Sequence, residues 1–143
     1  MSKRSGNRSS LERLAVHLLH RAGQVADEIF GREVHSLTPR QFAVLACVGQ
    51  SDGLSQTDIV EQTGIDRSTI AELVRRMVKK GLLQRRRSKE DARAYVVRLT
   101  DSGREALKSA EPKALRADTA VLVRLSGEQR RAFVEALKVI GSS

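Results

Sequence analysis

The stretch DRSTIAELVRRMVKKGLLQRRRSKEDARAYVVRLTDSG, residues 66–103, decides the fold of this chain. Asp66 is a preferred helix N-cap, and the residues after it predict an amphipathic helix that ends at Gly81. The apolar face holds Ile70, Leu73, Val74, Met77 and Val78, and the polar face holds Arg67, Ser68, Glu72, Arg75, Arg76 and Lys79. The sequence therefore predicts a helix that is buried on one side and cationic on the other.

A shorter helix is predicted immediately before the basic one. Ser55 is a typical N-cap, the predicted helix covers Gln56 to Gln62, and Gly64 ends it. Two helices joined by a glycine turn, of which the second is basic and faces outward, form a helix-turn-helix. A helix about 10–12 Å across fits the major groove of DNA, so this unit is typical of DNA-binding proteins.

The residues after Gly81 predict a β-hairpin. Leu83 to Arg86 and Tyr95 to Leu99 can pair as two strands, because the second segment alternates apolar and polar residues. Residues 87–93 form an exposed, charged tip between them. A hairpin in this position is the wing of a winged helix-turn-helix.

Helices are also predicted on both sides of this unit, each beginning at a capping sequence. They run from a capping box at Ser9–Glu12 to Gly31, from a second box at Thr38–Gln41 to Gly49, from Thr100 to about Val123, and from a box at Ser126–Gln129 onward. The predicted fold class is mainly α with a small β-hairpin wing. The aromatic content of 3% also disfavours a barrel or sandwich with an aromatic core.

The net charge of +9 indicates a polyanionic partner, which is either nucleic acid or an anionic membrane surface. Its location distinguishes a local function from general solubility. Residues 65–99 hold 11 Lys or Arg against 4 Asp or Glu, whereas the rest of the chain contributes only +2. The charge is therefore concentrated on the predicted basic helix and wing.

Several classes of protein are disfavoured by what the sequence contains. One cysteine excludes an internal disulfide framework, and no spacing resembles a Cys/His zinc module. Three histidines and that cysteine form no catalytic constellation, so we expect neither an enzyme nor a cofactor. Because no apolar run approaches the roughly 20 residues that cross a bilayer, a cytoplasmic protein is expected. Residues 1–8 are expected to be a disordered basic tail.

The basic helix predicts a division of labour on DNA. Arg67, Ser68 and Thr69 lie at its N-terminal end, where they can reach base edges in the major groove. Arg75 and Arg76 lie one to two turns later and are expected to contact the phosphate backbone.

The wing predicts further contacts. Arg93 at its tip can enter the minor groove, and we expect Asp91 to orient the Arg93 guanidinium. The arginines at 85–87 cannot all face one way in a strand, and among them Arg86 is expected to reach phosphate.

Taken in order, these motifs resemble the MarR family of bacterial winged-helix regulators. The resemblance rests on LTPRQFAVL at 37–45 and on LSQTDIVEQTG at 54–64 followed by the opening stretch. Its most specific features are Gly81 with the two leucines after it, Asp91-x-Arg93 in the wing, and the Leu99-Thr100-x-x-Gly103 exit. It covers the chain from about Leu11 to Ile140.

The resemblance implies a homodimer in which residues 9–36 and 101–143 are dimerisation helices and residues 37–100 are the DNA-binding lobe. Each subunit would contact one half of a palindromic operator, with half-sites about one helical turn apart. Most such proteins repress until a small ligand or an oxidant intervenes. Pro112 departs from the family pattern of one long helix, and we expect a kink near residues 108–111.

Two features raise the question of an effector. Cys47 could sense oxidants, but its apolar neighbours Leu45, Ala46 and Val48 favour a buried structural cysteine. His17 and His20 could bind a metal ion, but they lack a third ligand nearby in sequence. No metal site is therefore predicted.

A polar stripe of His17, Arg21, Gln24 and Glu28 follows the first helix. It is either a solvated face or part of a cleft in which His17, Arg21 and Gln24 bind a small anionic, aromatic effector. A ligand-responsive repressor is thus the leading interpretation. A redox-sensing regulator and a non-specific DNA-binding structural protein are the alternatives.

Overall fold

The computed structural model describes residues 10–142, so the predicted tail at 1–8 and the first residue of the predicted box at Ser9 lie outside the described residues. Six helices and a two-stranded antiparallel hairpin follow one another in this part of the chain. They are α1 (Ala15–Glu33), α2 (Pro39–Gly49), α3 (Gln56–Thr63), α4 (Arg67–Lys79), β1 (Leu83–Arg87), β2 (Tyr95–Leu99), α5 (Asp101–Val121) and α6 (Gly127–Gly141). The predicted winged helix-turn-helix is confirmed.

The core of the winged lobe lies where α2, α3 and α4 meet the hairpin. The apolar face predicted for α4 is turned inward, with Ile70, Val74 and Met77 buried. Its partners are fully buried aliphatic side chains of the neighbouring elements, namely Val44, Leu45, Val48, Ile59, Leu83 and Val97. Removing this apolar surface from water stabilises the lobe and sets the orientation of the basic face of α4.

Capping signals placed most helix starts correctly. Thr38, Ser55 and Ser126 each form a complete capping box with the side chain three residues later. Thr100 caps α5 through the backbone N–H of Gly103. These side chains satisfy amide groups that the first helical turn leaves without a partner.

The predicted first helix is interrupted at Leu14, and the box at Ser9–Glu12 stays a prediction because Ser9 lies outside the described residues. The helix begins at Ala15 after Leu14, whose extended backbone (φ −80, ψ 110) provides no side-chain cap. Residues 10 and 11 are helical and residues 12 and 13 form a turn, in which the N–H groups of Arg13 and Leu14 bond to the carbonyls of Ser10 and Leu11, three residues earlier. The break at Leu14 therefore separates α1 from the helical residues before it.

The end of α1 also differs from the prediction. The helix continues through Gly31 to Glu33 and ends where Val34 becomes extended. Val34 and Leu37 are both buried in the core, so the chain leaves helical geometry to bring them inward. A contact distant in sequence therefore overrides the glycine as a stop signal.

An isolated bridge extends the hairpin beside β2. The strands pair in the register Leu83 with Leu99 and Arg87 with Tyr95. Leu54 also exchanges both backbone hydrogen bonds with Val97, at 3.0 and 2.7 Å between N and O. This pairing, which sequence patterns did not predict, ties the start of the helix-turn-helix to the wing.

The long helix α5 continues through Pro112 without interruption. Proline removes the N–H that would bond to the carbonyl of residue 108, yet Ala110 and Ala117 on either side remain buried. The expected kink stays a prediction. Along α5 lies α1, and Arg116 joins Glu33 across the two helices with N···O at 3.4 Å. In residues 10–142, no helix has the length and apolar character needed to span a membrane.

Candidate nucleic-acid interface

The turn between α3 and α4 presents the N-terminal end of α4 to solvent. Gly64 has φ 70, a left-handed conformation that residues with a side chain rarely adopt, and its N–H bonds to the Val60 carbonyl. Two residues later, Asp66 adopts extended backbone and begins α4. Helix α3 thus ends and α4 begins within a few residues, and residues 67–69 lie in the first turn of α4.

The Asp66 carboxylate organises that end through three hydrogen bonds. It accepts the backbone N–H of Thr69 at 2.9 Å, the Thr69 hydroxyl at 2.7 Å and the Ser68 hydroxyl at 2.8 Å. The Thr69 hydroxyl, followed by the Thr69 amide and the Ser68 hydroxyl, lowers the pKa of Asp66 to about 2. The carboxylate is therefore ionised at neutral pH.

Arg67 is attached to the preceding helix. Its Nη1 donates to the Thr57 hydroxyl at 3.2 Å, a contact between α4 and the first turn of α3. Both residues are exposed, so the guanidinium can still contact a ligand. Thr57 was not identified from the sequence because its ten-residue separation from Arg67 matches no local pattern.

Glu72 holds the two arginines that were predicted to contact phosphate. Its carboxylate accepts two hydrogen bonds from Arg75, at 2.7 and 3.0 Å, and one from Arg76 at 2.7 Å. Bonding first to Arg75 and then to Arg76 lowers the pKa of Glu72 to about 2. The i, i+3 and i, i+4 spacing could have revealed this cluster from the sequence.

The wing tip is ordered by its own backbone, and one prediction about it was wrong. The Asp91 carboxylate accepts the backbone N–H of Arg93 at 2.9 Å, whereas no salt bridge joins it to the Arg93 guanidinium in the described chain. A short polar side chain readily accepts a hydrogen bond from the backbone amide two residues ahead, and this local turn contact is the one that the Asp91 carboxylate forms. Asp91 therefore shapes the turn, and the Arg93 side chain is exposed.

The strand register separates the three consecutive arginines. Arg85 lies opposite Val97 and Arg87 opposite Tyr95, so these two share one face of the hairpin. Arg86 lies opposite Val96 on the other face, and its Nη2 is 3.5 Å from the Gln84 side-chain oxygen. All three are exposed, and they are divided between the two faces as the sequence predicts.

Cys47 lies in the core between α2 and α3. Its thiol donates to the Gln62 side-chain oxygen at 3.3 Å. Burial, together with the negative charge of Asp58, raises the pKa of the Cys47 thiol. Because oxidants react with the thiolate, this environment favours a structural role.

A cavity of about 820 Å³ opens between α1, α2, α5 and α6. Its walls are mainly apolar and include Leu19, Phe30, Phe42, Leu115, Phe133 and Leu137. Its charged lining residues are Asp27, Glu111 and Asp118, so the cavity is suited to an apolar occupant and disfavours an anion. These residues were not singled out as a ligand site from the sequence.

The predicted effector residues lie elsewhere on α1. Helical spacing places His17, Arg21 and Gln24 on the side of the helix opposite the cavity-lining Leu19, Ala26 and Phe30. His17 is half-buried, and the other two are exposed. Among residues 10–142, no group of three His, Cys, Asp or Glu side chains could hold a metal ion.

Comparison with known proteins gives a consistent result. Residues 37–95 match the model of the MarR family. The chain is 30% identical over 129 residues to the transcriptional regulator HosA of Escherichia coli O111:H-, covering 90% of this chain and 96% of HosA.

Two solved structures are similar over nearly the whole chain. BpsR of Bordetella bronchiseptica, whose DNA binding is regulated by 6-hydroxynicotinic acid, has 28% identity and a TM-score of 0.86, with 92% and 95% of the two chains covered. The repressor CouR bound to a 23-mer DNA duplex has 32% identity and a TM-score of 0.81, covering 91% of this chain and 94% of CouR.

Proposed function

This chain belongs to the MarR family of transcriptional regulators, and from that premise we propose that it represses transcription as a homodimer on a pseudo-palindromic operator and is released by a small anionic, aromatic effector. The observation that carries the proposal is the exposed basic face of α4 beside an exposed arginine-rich hairpin. A basic helix alone is often only solvated, whereas a capped basic helix with a wing forms a continuous surface for DNA.

Within this proposal, residues 37–100 form the DNA-binding lobe. Arg67, Ser68 and Thr69 face base edges, and Arg75 and Arg76 face phosphate. On the wing, Arg86 reaches the backbone and Arg93 enters the minor groove. Asp91 contributes by shaping the turn that carries Arg93.

The proposed homodimer is supported by apolar surface that the single chain leaves uncovered. In the part of the chain that the structure describes, neither α1 nor α6 contains a buried residue. Of the thirteen large apolar side chains exposed in residues 10–142, only Tyr95 lies between positions 37 and 100. A second copy would cover this surface and the apolar cavity beside it, which makes residues 9–36 and 101–143 the dimerisation segments.

Selection of bound duplexes from random DNA tests the proposed function. We expect an inverted repeat with half-sites about 10 bp apart, because two-fold protein symmetry sets the spacing. Sedimentation of the free protein and of its complex should give two chains per operator. Equal affinity for selected and random duplexes of the same length would indicate a non-specific DNA-binding protein, and a stable monomer at micromolar concentration would contradict the dimer.

Arg93→Ala is expected to weaken operator binding by about 1–3 kcal/mol, which is roughly 5- to 150-fold, because an ordered charged contact is lost. Titration of labelled operator at fixed salt measures the change. Lys89→Ala is the matched control, since it removes one positive charge from the same exposed wing tip. Equal losses from the two variants would show that only the net charge of the wing matters.

The proposed effector site centres on Arg21. This guanidinium is exposed and forms no salt bridge with any residue in 10–142, so it is free to bind a carboxylate bidentately. His17 and Gln24 lie one turn away on the same side and can bond a ring hydroxyl or carbonyl. Because this face is open in one chain, the walls around the ring must come from the dimer.

Arg21→Ala is expected to reduce affinity for an aromatic acid about tenfold or more, because a charge-assisted hydrogen bond is lost. Calorimetry with hydroxybenzoic, hydroxynicotinic and cinnamic acids provides the measurement.

An effector that binds the DNA-free dimer a hundredfold more tightly than the DNA-bound dimer weakens operator affinity by about 2.7 kcal/mol, and operator weakens effector binding equally. Arg32→Ala is the control on the same helix, and equal release of DNA from both variants would indicate that Arg21 is only solvated.

A further inference from the structure

The hydroxyl groups at the N-terminal end of α4 have a fixed hydrogen-bonding polarity. A serine or threonine hydroxyl carries one O–H donor and two acceptor lone pairs. The Ser68 and Thr69 oxygens lie 2.8 and 2.7 Å from the two oxygens of Asp66. An ionised carboxylate can only accept hydrogen bonds, so each hydroxyl must donate its single proton to Asp66.

This arrangement decides what the two hydroxyls can offer to DNA. With their protons directed at Asp66, Ser68 and Thr69 present only lone pairs to a base edge. In the major groove, the hydrogen-bond donors are the exocyclic amino groups of adenine (N6) and cytosine (N4). Guanine O6 and N7 and thymine O4 are acceptors, which would face the hydroxyl lone pairs without a proton between them.

We propose that Asp66 is a specificity-determining residue that makes Ser68 and Thr69 obligate acceptors, so that they select adenine or cytosine on the strand they face. The inference rests on the proposed function, because it requires this end of α4 to reach base edges. Asp66 acts as a positioning residue and touches no base itself. Its own role as the N-cap holds the hydroxyls where the helix enters the groove.

Asp66→Asn separates the two roles of Asp66. Asparagine is as good an N-cap as aspartate, so α4 should still begin at the same position. Its NH2 group takes the place of the Asp66 oxygen that faces the Thr69 hydroxyl, so it can donate to that hydroxyl and leave the hydroxyl proton free for guanine or thymine, while Ser68 still donates to the oxygen that caps the helix. We expect the variant still to bind its operator. At the affected position, its affinity for guanine or thymine, divided by its affinity for adenine or cytosine, should be about tenfold higher than the same ratio for the wild type.

The decisive experiment uses operators obtained by selection with the wild-type protein. Adenine is replaced by purine and cytosine by 2-pyrimidinone, one position at a time, which removes only the exocyclic amino group. We expect about a tenfold loss of wild-type affinity at one or two positions in each half-site. The loss should disappear in the double variant Ser68→Ala/Thr69→Val, which has no hydroxyl to accept the bond.

Each outcome bears on the proposal. An amino-group effect that is equal in the wild type and in the double variant would overturn it. Replacement of a purine by 7-deazapurine removes the N7 acceptor. If this replacement weakened binding of the wild type but not of the double variant, the hydroxyls would be donors and the proposal would also be overturned. A selection that yields no preferred sequence would overturn the proposed function and this inference together. A clear operator without the amino-group effect would overturn this inference alone.

Discussion

Gly103→Ala is expected to destabilise the protein by about 3 kcal/mol, because the added methyl group has no room beside the backbone of residue 82. Gly103 is buried in the first turn of α5, and a Cβ there would overlap the backbone carbonyl oxygen of Leu82. That oxygen also accepts the N–H of Thr100 at 3.1 Å, so it cannot move away without losing this bond. Urea unfolding at one protein concentration measures the shift.

Gly31→Ala is the matched control for this prediction. Gly31 lies within α1, and an added Cβ would meet nothing within 4 Å. Alanine favours a helix over glycine by about 0.8–1 kcal/mol, so the control should be slightly more stable than the wild type. An unchanged urea midpoint for Gly103→Ala would show that α5 and residue 82 can separate at little cost.

The double variant Arg75→Ala/Arg76→Ala is expected to lower affinity for every DNA sequence by about tenfold or more. Its physical basis is the loss of two phosphate contacts, each of which contributes about 0.9 to the slope of log affinity against log salt. Titration of operator and random duplexes over a range of salt concentrations should therefore give a slope flatter by about 1.8. A loss confined to the operator would show that these arginines contact bases instead.

Glu72→Gln provides the opposite perturbation of the same cluster. In the free protein, the Glu72 carboxylate accepts hydrogen bonds from both arginines and offsets part of their positive charge. Removing its charge should raise the affinity for random DNA and lower the ratio of operator affinity to random-DNA affinity. Glu61→Gln is the control, because Glu61 is an exposed carboxylate on α3 that has no salt-bridge partner among residues 10–142. Equal gains from both variants would indicate a general charge effect.

Most of the fold could be predicted because its signals are local. The boxes at Thr38, Ser55 and Ser126 involve groups three residues apart, and a chain of any tertiary structure can form them. The inward face of α4 follows from helical spacing, since its apolar residues must leave water together. The hairpin register follows from the alternation after Tyr95 and from the length of the charged tip.

The residues of the candidate site could be predicted from the sequence, whereas their hydrogen-bond and salt-bridge partners were harder to predict. Arg67, Arg75, Arg76 and Arg93 are all exposed, as residues that contact DNA must be. Asp91, however, bonds to backbone, because the turn geometry competes with the guanidinium for the same carboxylate. The pairing of Glu72 with both arginines follows a known helical spacing and could have been predicted.

By itself, the sequence determined the winged helix-turn-helix, the capped starts of most helices and the cationic surface, because each depends on neighbours within a few residues. Only the tertiary structure decided that α1 ends where Val34 enters the core, that Leu54 pairs with Val97, and that Gly103 abuts residue 82. These features join segments distant along the chain. Their energies come from burial and close approach, which a local pattern does not contain.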